Sequence, residues 1–419
     1  MSNERIVVGL DIGSTKISTV IGEVAGDGVL DIIGEGTVPA EVLRRGAVVN
    51  LDQTIQAVKQ SLGAAQRVAG VQATDVWVSV SGEFLQSLSS HGIAAIRRGQ
   101  QISREDIERT VENARAVPLG DDKEVLHVLP QQFVVDGNDG IEDPSGMTGT
   151  RLEADVHMVF AQKGPLENLR RCVEEAGVTV NSVVAEVLAS GLAVLTRHEQ
   201  DLNTLVIDFG GGTTDYGLFT NGILAKSGSL TIGGNAVTSD IAQILSLPPD
   251  EAERVKLRYG VALPELADHD VELEVASPSK TITISTFQLA QIIQPRVAET
   301  FDLVKRAIEQ NGTGLEFLAN NVVITGGAAL MPGVAEVAEE RFGLPTRIGR
   351  PEDVSGLADV VASPVHAAAV GLVRYGEELL PEVPFAERPV RRAPSRSSDE
   401  GEPGEGLSTK IRKFLKDFF

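Results

Sequence analysis

Two segments 197 residues apart repeat one local design: an apolar strand, an aspartate, then a glycine-rich turn carrying hydroxyls. The first reads Ile6-Val7-Val8-Gly9-Leu10-Asp11-Ile12-Gly13-Ser14-Thr15-Lys16, the second Leu205-Val206-Ile207-Asp208-Phe209-Gly210-Gly211-Gly212-Thr213-Thr214-Asp215. Small residues at a hairpin tip let backbone N–H groups close on an anion without side-chain obstruction. One such turn constrains little. Two, on opposite halves of the chain, predict a pair of jaws gripping the phosphates of one nucleotide. Asp11 and Asp208 would hold a hydrated Mg²⁺, which needs only one or two carboxylates beside phosphate oxygens. Ser14, Thr15, Thr213 and Thr214 would add hydroxyls, Lys16 a compact positive charge, and Gly13, Gly210, Gly211 and Gly212 bare backbone. A third turn, Thr325-Gly326-Gly327-Ala328-Ala329-Leu330, follows the strand 322–325, and its glycine pair lets backbone pass close to a flat base.

The chain is long enough, at 419 residues with 42% hydrophobic content, for two large domains or several smaller ones. Its single cysteine, Cys172, excludes an intramolecular disulfide and suits a reducing cytoplasm. Charges at Glu4, Arg5, Asp11, Lys16 and Glu23 interrupt any apolar leader, and no run reaches the ~18–20 apolar residues of a membrane span. A net charge of −22 argues against nucleic acid as a partner, because such affinity rests on neutralising phosphates.

Strand-like runs are expected at 6–10, 17–24 and 76–80, with a helix over Leu51–Val68. Residues 85–160 change character: Ser103 opens a helix with early acids, and strands Val125–Val135 and Leu152–Phe160 flank a Gly/Asp/Pro-rich stretch, which predicts a compact α+β insert. Helices near 165–176 and 185–197 then lead to the strand before Asp208. Residues 240–320 read as mostly helical, with a short β stretch near 271–285. The strand 322–325, a helix from about Pro332 to Phe342 and an alanine-rich helix Pro364–Glu378 close the pattern. Past Leu380 the composition turns to Pro, Ser, Arg, Glu and Gly, as in a disordered tether.

The tether ends in a different texture. Leu407, Ile411, Phe414, Leu415 and Phe418 fall on one helical face, with Phe419 at the end. Lys410, Arg412, Lys413 and Lys416 against Asp417 make this segment a local +3 on an acidic protein. Thirteen residues span only about 20 Å as a helix, so the segment is expected to lie in an anionic membrane surface rather than cross it. Each large apolar side chain contributes at most ~1.5–3 kcal/mol and each cation about 1 kcal/mol, against roughly 1–2 kcal/mol per residue of ordering. One tail therefore binds weakly, and firm attachment needs many tails on one assembly. The alternative is a helix that docks on its own domain or on a partner protein.

With these turns in this order, the chain resembles the actin-fold ATPase superfamily, and within it the FtsA family of bacterial division proteins. Residues 9–16 match the first phosphate loop, 206–215 the second, 322–333 the adenosine motif and 363–371 the second connecting helix. The narrower match rests on Ile232-Gly233-Gly234-Asn235-Ala236-Val237-Thr238-Ser239-Asp240-Ile241, on Glu251–Lys256 with Tyr259-Gly260, and on Val125–Gln131 with Gly146-Met147-Thr148-Gly149. The resemblance implies an α/β, two-lobed actin-like fold with ribonuclease H-like cores and a family-specific α+β insert. Its parts would be subdomain 1A at 1–84 and 163–204, 1C at 85–162, 2A at 205–242 and 319–380, and 2B at 243–318. A disordered linker at 381–406 and a C-terminal amphipathic helix at 407–419 would follow.

The same resemblance implies ATP and Mg²⁺ between the lobes, with Gly233, Gly234, Glu253, Lys256, Gly326, Gly327, Ala328 and Leu330 joining the phosphate turns. It also implies filaments of the chain itself on the cytoplasmic face of the cell membrane at the septum, capture of the FtsZ C-terminal peptide by 2B, and recruitment of later division proteins through 1C. Arg296 occupies a family position near the FtsZ contact region; an exposed helix arginine is the plain alternative. Glu253 and Lys256 are also readable as a solvated i,i+3 pair. Counting back from Ala189-Ser190-Gly191 puts Ser182 where actin has a water-orienting glutamine, so hydrolysis is expected to be slow, with nucleotide acting mainly as an assembly switch. His127 and His157 lie in strand-like runs and read as structural. Two other readings stand beside this one: a PilM-like actin-fold partner of pilus machinery, and an actin-fold small-molecule kinase.

Overall fold

The computed structural model describes residues 5–24, 30–97, 99–269, 272–276, 281–309 and 314–379. The proposed tether and the terminal segment 407–419 lie outside the described residues.

Both glycine-rich turns are hairpin tips in mixed sheets of matching plan. In the first lobe, Arg5–Ile12 pairs antiparallel with Lys16–Val24, which pairs in turn with Leu30–Pro39. The same first strand pairs parallel with Asp75–Val80, which carries Thr179–Ala185 on its far side. In the second lobe, Thr204–Phe209 pairs antiparallel with Thr214–Thr220 and then Ile223–Leu230, while Asn321–Thr325 lies parallel on its other side. The repeat in sequence is thus a repeat in topology. The central strands Lys16–Val24, Thr204–Phe209, Thr214–Thr220 and Asn321–Thr325 are buried on both faces along most of their length, and their apolar residues run on without alternation.

Two helices stand between the sheets. Glu186–Val194 and Ala367–Leu379 share one core with Val7, Val20 and Leu30 of the first sheet and with Val206, Phe219 and Val323 of the second. Their small residues (Ala189, Ala193, Ala367, Ala369) allow the close packing that joins the lobes, and a β-carbon on Gly371 would collide with the Ala189 carbonyl.

The expected insert is a four-stranded antiparallel sheet in the order Leu85–Ala95, Arg151–Gln162, Lys123–Val135, Asn138–Ile141, covered by the helix Arg104–Arg115. Ser103 caps that helix in a reciprocal capping box with Asp106, as the sequence pattern requires. On the second lobe, helices Gly234–Leu245, Pro249–Tyr259 and Thr286–Ile308 and the hairpin Glu272–Ala276/Thr281–Ser285 pack around Phe301, Leu289 and Ile293. Among the described residues, no helix is long and apolar enough to cross a membrane.

Candidate functional site

The two turns close in the same way. Gly13 N–H donates to the Lys16 carbonyl at 2.9 Å, and Gly210 N–H to the Thr213 carbonyl at 3.0 Å. They then face each other across the gap between lobes: a β-carbon on Gly211 would collide with the Thr15 side chain, and one on Gly212 with Ser14. The bare backbone therefore serves close approach as well as turn formation.

The aspartates stand at the ends of the two central strands, and both are 4% exposed. Asp11 accepts from Lys16 Nζ at 2.9 Å and from Ser79 Oγ at 2.8 Å. Asp208 accepts from Ser190 Oγ. Burial, with the nearby charge of Asp11, pushes the Asp208 pKa up to about 6, against the opposing pull of the Ser190 hydrogen bond. Asp215 and Glu186 belong to the same acidic group, and burial raises both well above the usual carboxylate range, helped by the charges of Asp215, Asp208 and Asp11 on Glu186 and of Asp208 on Asp215. Such a cluster is relieved by a cation. Mg²⁺ takes most of its ligands from water and phosphate oxygens, so the two buried carboxylates Asp11 and Asp208 at the strand ends fit the expected ion.

The second turn is braced from behind. Gly234 N–H donates to the Gly210 carbonyl at 3.0 Å and Asn235 N–H to the Gly211 carbonyl at 2.8 Å, so the start of helix Gly234–Leu245 holds this turn in place. Lys256, 8% exposed, donates to the Gly234 carbonyl at 3.2 Å and Thr238 Oγ1 at 2.9 Å, and pairs with Glu253 at 2.7 Å. Glu253 also accepts from Thr238. This is a fixed network against the Gly233-Gly234 backbone rather than a solvated pair. Ala328 lies beside Gly234. Gly326 adopts φ +89° directly over Asp208 and Phe209, a conformation and a space open only to glycine. Gly327 has open space at its α-carbon, and Leu330 is half exposed at the rim.

One expectation is corrected. Ser182 lies within the strand Thr179–Ala185, paired with Trp77, and does not reach the acidic group. The carboxylate that meets Asp215, Asp208 and Asp11 is Glu186, at the first residue of the connecting helix. Sequence reasoning missed Glu186 and Asp215. The available signals were an acid opening an apolar helix and an acid inside a buried strand.

Arg296 is far from the turns. On helix Thr286–Ile308 it makes two bonds to Asp240, at 2.6 and 2.9 Å, and pairs with Glu299. Beside it opens a cleft of about 530 Å³ lined by Asp240, Ile244, Leu245, Thr283, Ile284, Gln288, Gln291, Ile292 and Pro295.

Comparison with known proteins agrees with this architecture. Residues 205–371 match the family described as cell division protein FtsA, and residues 82–160 match the SHS2 domain inserted in FtsA. Cell division protein FtsA of Pseudomonas aeruginosa is 39% identical over 376 residues, 89% of each chain. Among solved structures, the PilM-PilN type IV pilus biogenesis complex aligns with TM-score 0.66 at 18% identity, covering 88% of this chain and 98% of that one. MreB5 of Spiroplasma citri bound to ADP aligns with TM-score 0.53 at 15% identity, covering 88% and 94%. At such identities these two likenesses establish the actin-like fold and nothing narrower. Identity to the Pseudomonas protein across most of both chains goes further: the chain belongs to the FtsA family of cell division proteins.

Proposed function

We propose that this chain binds ATP with Mg²⁺ between its lobes, polymerises on the cytoplasmic face of the cell membrane at the septum, and anchors FtsZ there. The observation that carries the nucleotide reading is the pair of identically closed turns, Gly13–Lys16 and Gly210–Thr213, face to face with Asp11 and Asp208 behind them. Bound Mg²⁺ would neutralise phosphate charge. The protein's own part is to present Ser14, Thr15 and Thr213, to counter charge with Lys16, and to seat the base and ribose against Gly326–Ala328 and the Glu253–Lys256 network.

Glu186 takes the role expected of Ser182: a carboxylate at the cleft able to orient an attacking water. The ground for negligible hydrolysis, a side chain too short to reach, falls with that reassignment. Turnover is still a slow step that resets assembly rather than the purpose of the fold. The separate sheets of the two lobes and the insert support a division into 1A, 1C, 2A and 2B, although Ser355–Gly356, expected in 2A, pairs with Leu30–Pro39 in the first lobe's sheet; later division proteins are recruited through 1C. The cleft beside Arg296 is an apolar slot on 2B of a size suited to a short peptide, and we assign the FtsZ C-terminal peptide to it. The basic terminal segment supplies the membrane contact.

Two measurements test the reading. Asp208→Ala should weaken Mg-ATP binding by at least about tenfold in calorimetry while leaving the thermal transition in place; unchanged affinity would remove the site. In liposome flotation, the intact chain should float and a chain ending at Gly406 or carrying Phe414→Glu should not. Equal flotation would remove the tether.

A further inference from the structure

The cleft beside Arg296 has a chemistry that matches another part of the same chain. Its walls come from the end of helix Gly234–Leu245, the strand Thr281–Ser285 and the helix Thr286–Ile308. Ile244, at its edge, is 61% exposed, and Leu245, Ile284, Ile292 and Pro295 continue the apolar lining. Ile244 and Pro295 are exposed and Ile292 half-buried, over a floor of buried Leu245 and Ile284, so this apolar patch has a rim open to a covering segment. Its polar side chains are Thr283, Gln288 and Gln291, which both donate and accept, and the carboxylate of Asp240, which accepts. Pro295 has no N–H, so the carbonyl of Gln291, one turn earlier, lacks its helical donor. No lysine or arginine lines the cleft among the described residues, and the neighbouring Arg296 is held by two carboxylates, Asp240 and Glu299. Such a cleft takes an amphipathic segment with one apolar face and cations beside it.

Residues 407–419 have that pattern: Ile411, Phe414, Leu415 and Phe418 on one helical face, flanked by Lys410, Arg412, Lys413 and Lys416. Their +3 is opposite in sign to the −22 of the chain. The described residues end at Leu379, and 27 residues lie between it and Leu407. A stretch of that length spans at most about 90 Å, enough to reach across its own molecule.

We propose that the terminal segment docks in this cleft in cis when no membrane is present, masking it, and that lipid withdraws the segment and opens the cleft. The proposal rests on the assignment of the FtsZ peptide to the same cleft. The physical basis is exclusion: one apolar face cannot be buried in a protein slot and in a lipid interface together. A tether of this length gives an effective concentration on the order of 1 mM. A segment with an intrinsic dissociation constant of about 0.1 mM would then weaken a competing peptide by about tenfold. Weak affinity for both resting places is what makes the exchange reversible. Capture of FtsZ would thereby be confined to protein already on the membrane.

The test is a fluorescence-anisotropy titration of labelled FtsZ C-terminal peptide into four samples. These are the intact chain, the chain ending at Gly406, the intact chain with phosphatidylglycerol-containing vesicles, and intact Ile244→Glu. The expected result is about tenfold tighter binding to the shortened chain, recovery of that affinity by the intact chain on vesicles, and loss of binding in Ile244→Glu. Equal affinity of intact and shortened chains overturns the proposal. If the FtsZ peptide binds no sample, the assignment of that peptide fails, and tail docking is decided separately. Labelled peptide 407–419 must then bind the shortened chain and lose binding in the shortened chain carrying Ile244→Glu; no binding overturns it. Ile244 is exposed, so its substitution leaves the core intact.

Discussion

Gly326 shows how much a single residue decides. It follows a buried strand, turns at φ +89°, and leaves no room for a β-carbon between Asp208 and the Phe209 carbonyl. Gly326→Ala should destabilise the protein by roughly 2 kcal/mol or more, through strain at positive φ and displacement of Asp208. Urea unfolding measures the first effect and ATP calorimetry the second; a normal Asp208 site in a stable variant would contradict this account. The glycine was legible in sequence because glycine pairs behind strands have few other uses. Glu186 was not. An acid at a helix start is ordinary in sequence, and only folding brings it against Asp11, Asp208 and Asp215. Its role is separable from binding: Glu186→Gln should retain ATP yet lower phosphate release severalfold or more, and unchanged release would return the water-orienting role to another group.

At the scale of elements, the signals that survived are those with strict periodicity or a cap. The helix Leu51–Ala69 buries Ile55, Val58, Leu62 and Ala65, as its spacing requires, and Ser103 starts its helix. Strands with one mixed face were harder to read. Leu85–Ala95 mixes Gln86, Ser87, Ser89, Ser90 and His91 with apolar residues without strict alternation, and His91 joins an ionic network, bridging Asp155 at 2.7 Å and Glu153 at 2.9 Å. The two other strand histidines are structural, as expected. His127 Nε2 accepts from Ala185 N–H at 3.0 Å, and His157 Nε2 meets Ser227 Oγ at 2.9 Å. Burial lowers their pKa values to about 3 and about 4. A depressed histidine is neutral when folded and protonates more readily when unfolded, so its stability contribution is complete above about pH 6.5 and is lost as pH falls toward 4. The raised carboxylates run the other way, so the comparison must isolate one residue. The stability difference between the native chain and His157→Gln should shift by about 2 kcal/mol against the native chain from pH 7.5 to 5. A difference independent of pH would show His157 to be charged or exposed.

For the whole molecule, the insert does more than decorate the first lobe. Its sheet meets the strand Ile223–Leu230 of the second lobe through Ser87 Oγ to the Ser227 carbonyl at 2.7 Å and Gln131 Nε2 to the Leu224 carbonyl at 3.0 Å, and its Leu129 and Val159 share a core with Leu224. A partly polar seam of this kind is open to relative motion. Oxidising the pair Ser87→Cys/Ser227→Cys should slow nucleotide release by about tenfold, reversibly on reduction, because the lobes must part to let ligand out. The native thiol, Cys172, is buried and should not interfere; release rates indifferent to oxidation would show that the seam stays closed during exchange. Local sequence determined the paired glycine-rich turns, their aspartates, the core strands and the family, because backbone closure and burial demand particular residue types at short range. Tertiary structure alone decided which acid faces the cleft, that Lys256 braces a turn instead of meeting water, and that a slot opens beside Arg296. Each of those depends on side chains brought together from distant segments, and no periodicity records such distances.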